Sequence, residues 1–188
     1  MKINWKPGTM IYPLPAVMIS CGSEPSEYNI ITASWVGTLC TNPPMCYISI
    51  RPERNSASII KKNMEFVINL TTRSLAYATD WCGVVSGKDH RKFEAMNLTP
   101  GKALIVSAPT IEESPLSIEC RVREILSLGS HEMYIADVVN ILADEQYIDA
   151  SSQAFDMQKA ELLAYAHGKY YALGEMIGQF GWSVKKKK

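Results

Sequence analysis

Residues 32–35 read Thr-Ala-Ser-Trp, and residues 48–56 read Ile-Ser-Ile-Arg-Pro-Glu-Arg-Asn-Ser. These two stretches hold the residue types best suited to chemistry. Thr32, Ala33 and Ser34 are small, so a planar ring could approach the backbone closely, with amides and hydroxyls ready to donate to its nitrogens and oxygens. Trp35 would supply a flat apolar wall. Arg51 and Arg54 end a strand-like run, Ser56 opens a helix-like run, and Lys92 follows later. Charge-assisted donors beside a helix start are what a phosphomonoester requires. Each pattern also has a plainer reading. Small residues suit a strand on which another strand packs, and the second stretch suits a capped surface helix with two solvated arginines. Residue types alone leave both readings open.

Other chemistries find little support. His131 follows Gly129-Ser130 at a hairpin corner and reads as a polar turn residue, while His90 and His167 lie far from it in sequence. Their spacing matches no H-E-x-x-H or His-Cys pattern, so no metal is expected. The chain has no G-x-G-x-x-G, no P-loop and no G-x-S-x-G elbow. Its five cysteines are scattered without a C-x-x-C, which predicts buried free thiols and a reducing, cytoplasmic setting. Basic and acidic residues balance at 19 each, so neither nucleic acid nor an anionic membrane is an expected partner. The four lysines at 185–188 are expected to form a solvated tail. The start lacks an apolar leader core, and no run approaches the roughly 20 apolar residues of a membrane span.

The elements that must position these residues can be read from pattern. The 188 residues suggest one domain over 1–188, with an arm over residues 1–13 punctuated by Pro7, Gly8 and Pro13. Residues 14–22 form a compact apolar run, a buried strand. Residues 28–39, rich in Ile, Thr, Trp and Val, read as one strand, which Pro43-Pro44 terminates. Residues 45–51 and 65–70 read as strands around a short helix at 55–63, capped by Asn55 or Ser56. Two short helices are expected over 72–83 and 89–97, around a polar loop. A long hairpin follows, with Ile118, Cys120 and Val122 on one face and Glu119, Arg121 and Arg123 on a solvated one. The tail is rich in aromatics and glycine. Helices do not alternate with strands, so a small β-barrel with inserted helices is favoured over a doubly wound sheet.

In this order the segments "PAVMISCG", "NIITASWVGTLCTNPP", "ISIRPERNS", "FVINL", "SGKDHRKF", "LGSHEMYIADV" and "YYALGE" resemble one family. The chain is similar, over roughly residues 5–184, to the flavin-reductase-like FMN-binding split-barrel proteins and their flavoredoxin-like branch. The resemblance implies a mostly β fold with inserted helices: a six-stranded Greek-key split β-barrel, homodimeric, with FMN at or near the subunit interface. It implies that Asn29, Thr32, Ala33, Ser34 and Trp35 surround the ring and ribityl chain, and that Arg51, Ser56 and Lys92 hold the phosphate. Position 56 is often threonine in relatives, and serine keeps the hydroxyl. His131 would sit beside the flavin, and a tail aromatic, Tyr165 or Tyr170, would pack on the ring.

The function so implied is an FMN-dependent oxidoreductase, passing electrons from NADH, NADPH or a redox protein through FMN to an acceptor. No protein acid or base is required, because the cofactor carries the chemistry. A flavoredoxin-type electron carrier without nicotinamide oxidation is the first alternative. A barrel holding flavin or haem without turnover, and a structural dimerisation barrel, are the others.

Overall fold

The computed structural model describes residues 1–184; the lysines at 185–188, with the tail expected there, lie outside the described residues. Residues 1–13 carry no helix or strand. Short β1 (Leu14–Pro15) precedes β2 (Val17–Cys21), β3 (Asn29–Ala33), β4 (Val36–Cys40) and β5 (Met45–Ile50). Helix α1 (Asn55–Asn63) leads into β6 (Glu65–Leu70), and α2 (Ala76–Val84) and α3 (Lys92–Ala95) follow. Two-residue strands β7 (Pro100–Gly101) and β8 (Thr110–Ile111) come before the long hairpin of β9 (Leu116–Ser127) and β10 (Glu132–Ala143). A last hairpin joins β11 (Leu163–Ala166) to β12 (Lys169–Ala172).

Seven strands form one antiparallel sheet in the order β3-β2-β6-β9-β10-β5-β4. The two edges, β3 and β4, are separated in sequence by Ser34 and Trp35 alone. Three Cα–Cα steps of about 3.8 Å reach at most ~11 Å, so the sheet curls until its edges adjoin. Val17, Ile19, Ile31, Ile48, Phe66 and Tyr134 fill the inside of the curl. Met18, Ile30, Leu75, Cys82 and Phe93 form a second core under α2 and α3. Strand β2 lies between these cores, which is why all five of its residues are buried and its sequence does not alternate. Full burial of each large apolar side chain contributes about 1.5–3 kcal/mol. A separate three-stranded sheet, β1-β11-β12, brings the tail back against the start of the chain.

Several expectations are corrected here. The single strand over 28–39 is two, β3 and β4, because the chain leaves one sheet edge at Ser34 and starts the opposite edge after Trp35. That division gives seven strands where the resemblance implies six. The helix over 89–97 shrinks to α3, because Arg91 is extended and Asn97 takes a left-handed φ of 52°. The cap of α1 is Arg54, without a side-chain cap, because the Ser56 hydroxyl is engaged by Asn29 instead. Glu119 is not on a solvated face. It is fully buried and accepts from the backbone N–H groups of Leu104, Ile105 and Val106 at 3.0, 2.7 and 3.0 Å, and from Asn140 Nδ2 at 2.7 Å. Burial alone would raise its carboxyl, but these donors together outweigh it and hold the group below the usual range.

Candidate functional site

The seam between β3 and β4 opens onto two adjoining cavities. The first, of about 390 Å³, lies between the ends of β3 and β5, the start of α1 and the loop at 85–88. Four cationic side chains line it, Arg51, Arg54, Lys88 and Lys92, against one carboxylate, Glu53. Arg51 and Glu53 pair at 3.6 Å with both side chains more than half exposed, so water screens that pair and Arg51's charge is partly answered. The other wall is the first turn of α1, which contains no acidic residue and no side-chain cap. Its leading N–H groups and positive dipole end therefore remain available to an anion.

Two buried residues fix the floor of this cavity. Asn29 Nδ2 donates to Ser56 Oγ at 2.8 Å, which uses an acceptor site of the hydroxyl and not its proton; the Cys21 thiol lies beside the same hydroxyl. Lys92 is 3 % exposed, and its Nζ donates to the Cys82 carbonyl at 2.7 Å. That bond satisfies a carbonyl in the last turn of α2 and leaves two ammonium protons. Burial, with a smaller contribution from Arg54, pushes the Lys92 ammonium down to about 8, although Cys82 and Cys21 pull the other way. Gly87 lets the loop pass this floor: a Cβ there would lie 2.1 Å from Asn29 Oδ1.

The second cavity, of about 430 Å³, continues from the first, since Ile31, Arg51 and Arg54 line both. One wall is β3, an edge strand paired only with β2, so part of its backbone keeps N–H and C=O groups without ladder partners. Helix α2 packs on β3 at Gly83, where a Cβ would meet Thr32 Cβ at 3.1 Å. The third wall is aromatic. Trp35 lies near-parallel to His131, with centroids 6.3 Å apart and planes at 11°, and 6.5 Å from Tyr165. Tyr165 meets Tyr170 edge-on at 5.8 Å. The Trp35 carbonyl is pinned by Ser49 N at 2.8 Å.

Every residue named from the sequence lines one of the two cavities. Their grouping differs in detail from the implied one. Asn29 belongs to the polar cavity with Ser56, not to the ring side. The Thr32 hydroxyl is spent on the Thr79 carbonyl of α2 at 2.5 Å, so Thr32 offers the cavity its backbone. Arg54 is half-buried and borders both cavities, and so is better seated than exposed Arg51. Tyr165 and Tyr170 both line the second cavity. Ser86, Gly87, Lys88 and Asp80 complete the walls without having been singled out. The Ser-Gly-Lys run in the polar loop was the signal available for the first three.

A cationic end, a small-residue edge and an aromatic wall in two adjoining cavities are what the phosphate and ring of a flavin mononucleotide would need. The family model for the flavin reductase like domain matches residues 9–174. An uncharacterized protein of Archaeoglobus fulgidus is 30 % identical over 139 residues, covering 74 % of this chain and 77 % of its own. Flavoredoxin of Desulfovibrio vulgaris (Miyazaki F) superposes with a TM-score of 0.91 at 27 % identity, over 98 % of this chain and 100 % of its own. A putative flavin reductase with split barrel domain from Shewanella frigidimarina shares the fold, with a TM-score of 0.80 at 24 % identity, over 89 % of this chain and 85 % of its own.

Proposed function

Because the chain belongs to the flavin reductase like family, we propose that it is an FMN-dependent oxidoreductase. Membership makes a flavin-related redox role the coarse assignment. The finer reading is carried by the junction of the cavities: Arg54 borders an anion-binding space and a ring-sized space that share one wall. Ser56, Lys92, Arg54 and the α1 N-terminus would bind and orient the phosphate. The free edge of β3 would donate to the ring, and Trp35, His131 and Tyr165 would exclude water from it. When bound, FMN supplies reversible two-electron chemistry. The donor in this reading is NADH, NADPH or a reduced redox protein.

The test is an anaerobic titration of the FMN-loaded protein. The expected result is uptake of FMN by the apoprotein, then loss of the visible flavin absorbance on adding NADH or NADPH. Reduction by a redox protein but by neither nucleotide would favour the second reading, a flavoredoxin-type carrier, which the likeness to the Desulfovibrio protein supports. Failure to take up FMN would overturn both.

The proposed assembly is a homodimer. Ile3, Trp5 and Ile11 near the start and Ile177, Phe180 and Trp182 near the end are each more than half exposed. A two-fold partner is the commonest cover for such surface. Light scattering should give twice the 21.0 kDa chain mass, and a monomeric mass with FMN present would rule the dimer out. Among the described residues no helix is long and apolar enough to cross a membrane.

A further inference from the structure

Among the described residues that line the ring cavity, Asp80 is the only carboxylate. It projects from α2 on the same face as Gly83 and Val84, three and four residues on, which line the cavity with it. Tyr170, on β12, lines the same cavity, near enough for the Asp80 charge to act on its hydroxyl. Tyr170 also meets Tyr165 edge-on, so the pair belongs to the aromatic wall. A carboxylate here contributes nothing to holding a phosphate, and its sign opposes an anionic ligand. What it faces is the ring end.

We propose that Asp80 sets the reduction potential of the bound flavin and that Tyr170 is the positioning residue that tempers its charge; the inference rests on the FMN reading above. Reduction places negative charge on the ring that the oxidised ring lacks. A neighbouring carboxylate raises the free energy of the reduced form by simple Coulomb repulsion. It therefore favours oxidised flavin and makes the reduced flavin a stronger electron donor. Asp80 is solvent-exposed, so the effect is screened and modest. Tyr170 remains a donor across the working range, because burial and then the Asp80 charge push its hydroxyl up to about 12. A proton donated from this hydroxyl to Asp80 would draw part of the carboxylate charge away from the ring.

The test compares Asp80→Asn, Tyr170→Phe and the double variant, each loaded with FMN. The readouts are spectroelectrochemical potential, oxidised-FMN affinity and melting temperature. Asp80→Asn keeps an oxygen that can accept from Tyr170 while removing the charge. It should improve the binding of reduced over oxidised flavin three- to tenfold, about 15 to 30 mV upward for a two-electron couple, without weakening oxidised FMN. Tyr170→Phe should shift the potential the other way by less, and the double variant should follow Asp80→Asn. If the pair merely clamps the β11–β12 hairpin to α2, both single variants should lower the melting temperature and move the potential in the same direction. That outcome, or an unchanged potential in Asp80→Asn, overturns the inference while leaving FMN binding intact. Should Asp80→Asn fail to fold, Tyr170→Phe decides by the sign of its shift. A wild-type protein that takes up no FMN overturns the flavin reading itself, and this inference with it.

Discussion

Lys92→Met should weaken FMN binding by about 1.5–3 kcal/mol, roughly ten- to a hundredfold, while riboflavin binding stays nearly unchanged. The expected size follows from the site: Lys92 is almost wholly buried, so water does not replace its charge-assisted bond to a phosphate. The variant also removes the donor to the Cys82 carbonyl, so its apoprotein should melt slightly lower. The pH profile supplies an independent check. In the apoprotein Lys92 loses its proton near pH 8, and a bound phosphate dianion would raise that value. Wild-type FMN affinity should therefore be flat just below pH 8 and fall above it, by up to about tenfold per pH unit. Riboflavin affinity should show no such limb, and Lys92→Met should abolish it for FMN. Ser56→Ala should repeat the selective loss on a smaller scale. The measurement is flavin titration of each apoprotein from about pH 6 to about pH 10. Equal losses for FMN and riboflavin would remove Lys92 from the phosphate site.

The residues of the polar cavity were legible because their signal is local. An arginine pair at a strand end, a serine opening a helix and a lysine in a polar segment keep their meaning wherever the chain goes. Strand β6, helix α1 and the β9–β10 hairpin were legible for a similar reason: β6 is a short apolar run, α1 opens on Asn-Ser, and β9 alternates over residues 118–123. What failed depended on distant contacts. Glu119 alternates with apolar neighbours as a solvated residue should, and only the loop at 104–106 folding over it makes it a buried anchor. The division at Ser34–Trp35 leaves no mark in composition, because β3 and β4 are both good strands. It exists because the sheet curls until its two edges adjoin. The advantage of Arg54 over Arg51 is likewise a matter of burial, which two arginines three residues apart do not announce.

The curl also decides what Trp35 does. At the seam its backbone is held by Ser49, while its ring borders the cavity and is only partly buried. Trp35→Ala should therefore weaken FMN and riboflavin alike, because both carry the ring, and should shift the visible spectrum of the bound flavin. An aromatic contact of this kind contributes about 0.5–1.5 kcal/mol beyond buried area, so the loss should be severalfold or more for each ligand. Trp35→Phe should recover much of it. The stability cost should stay below the ~3–5 kcal/mol of a fully buried tryptophan truncation, since part of the ring already faces the cavity. The contrast with Lys92→Met separates the two ends of the site: one variant discriminates between the two flavins and the other does not. If Trp35→Ala instead lowers the melting temperature sharply and leaves both flavin affinities unchanged, the tryptophan only holds the edges of the sheet together, and the flat wall of the cavity must be assigned to Tyr165 and His131.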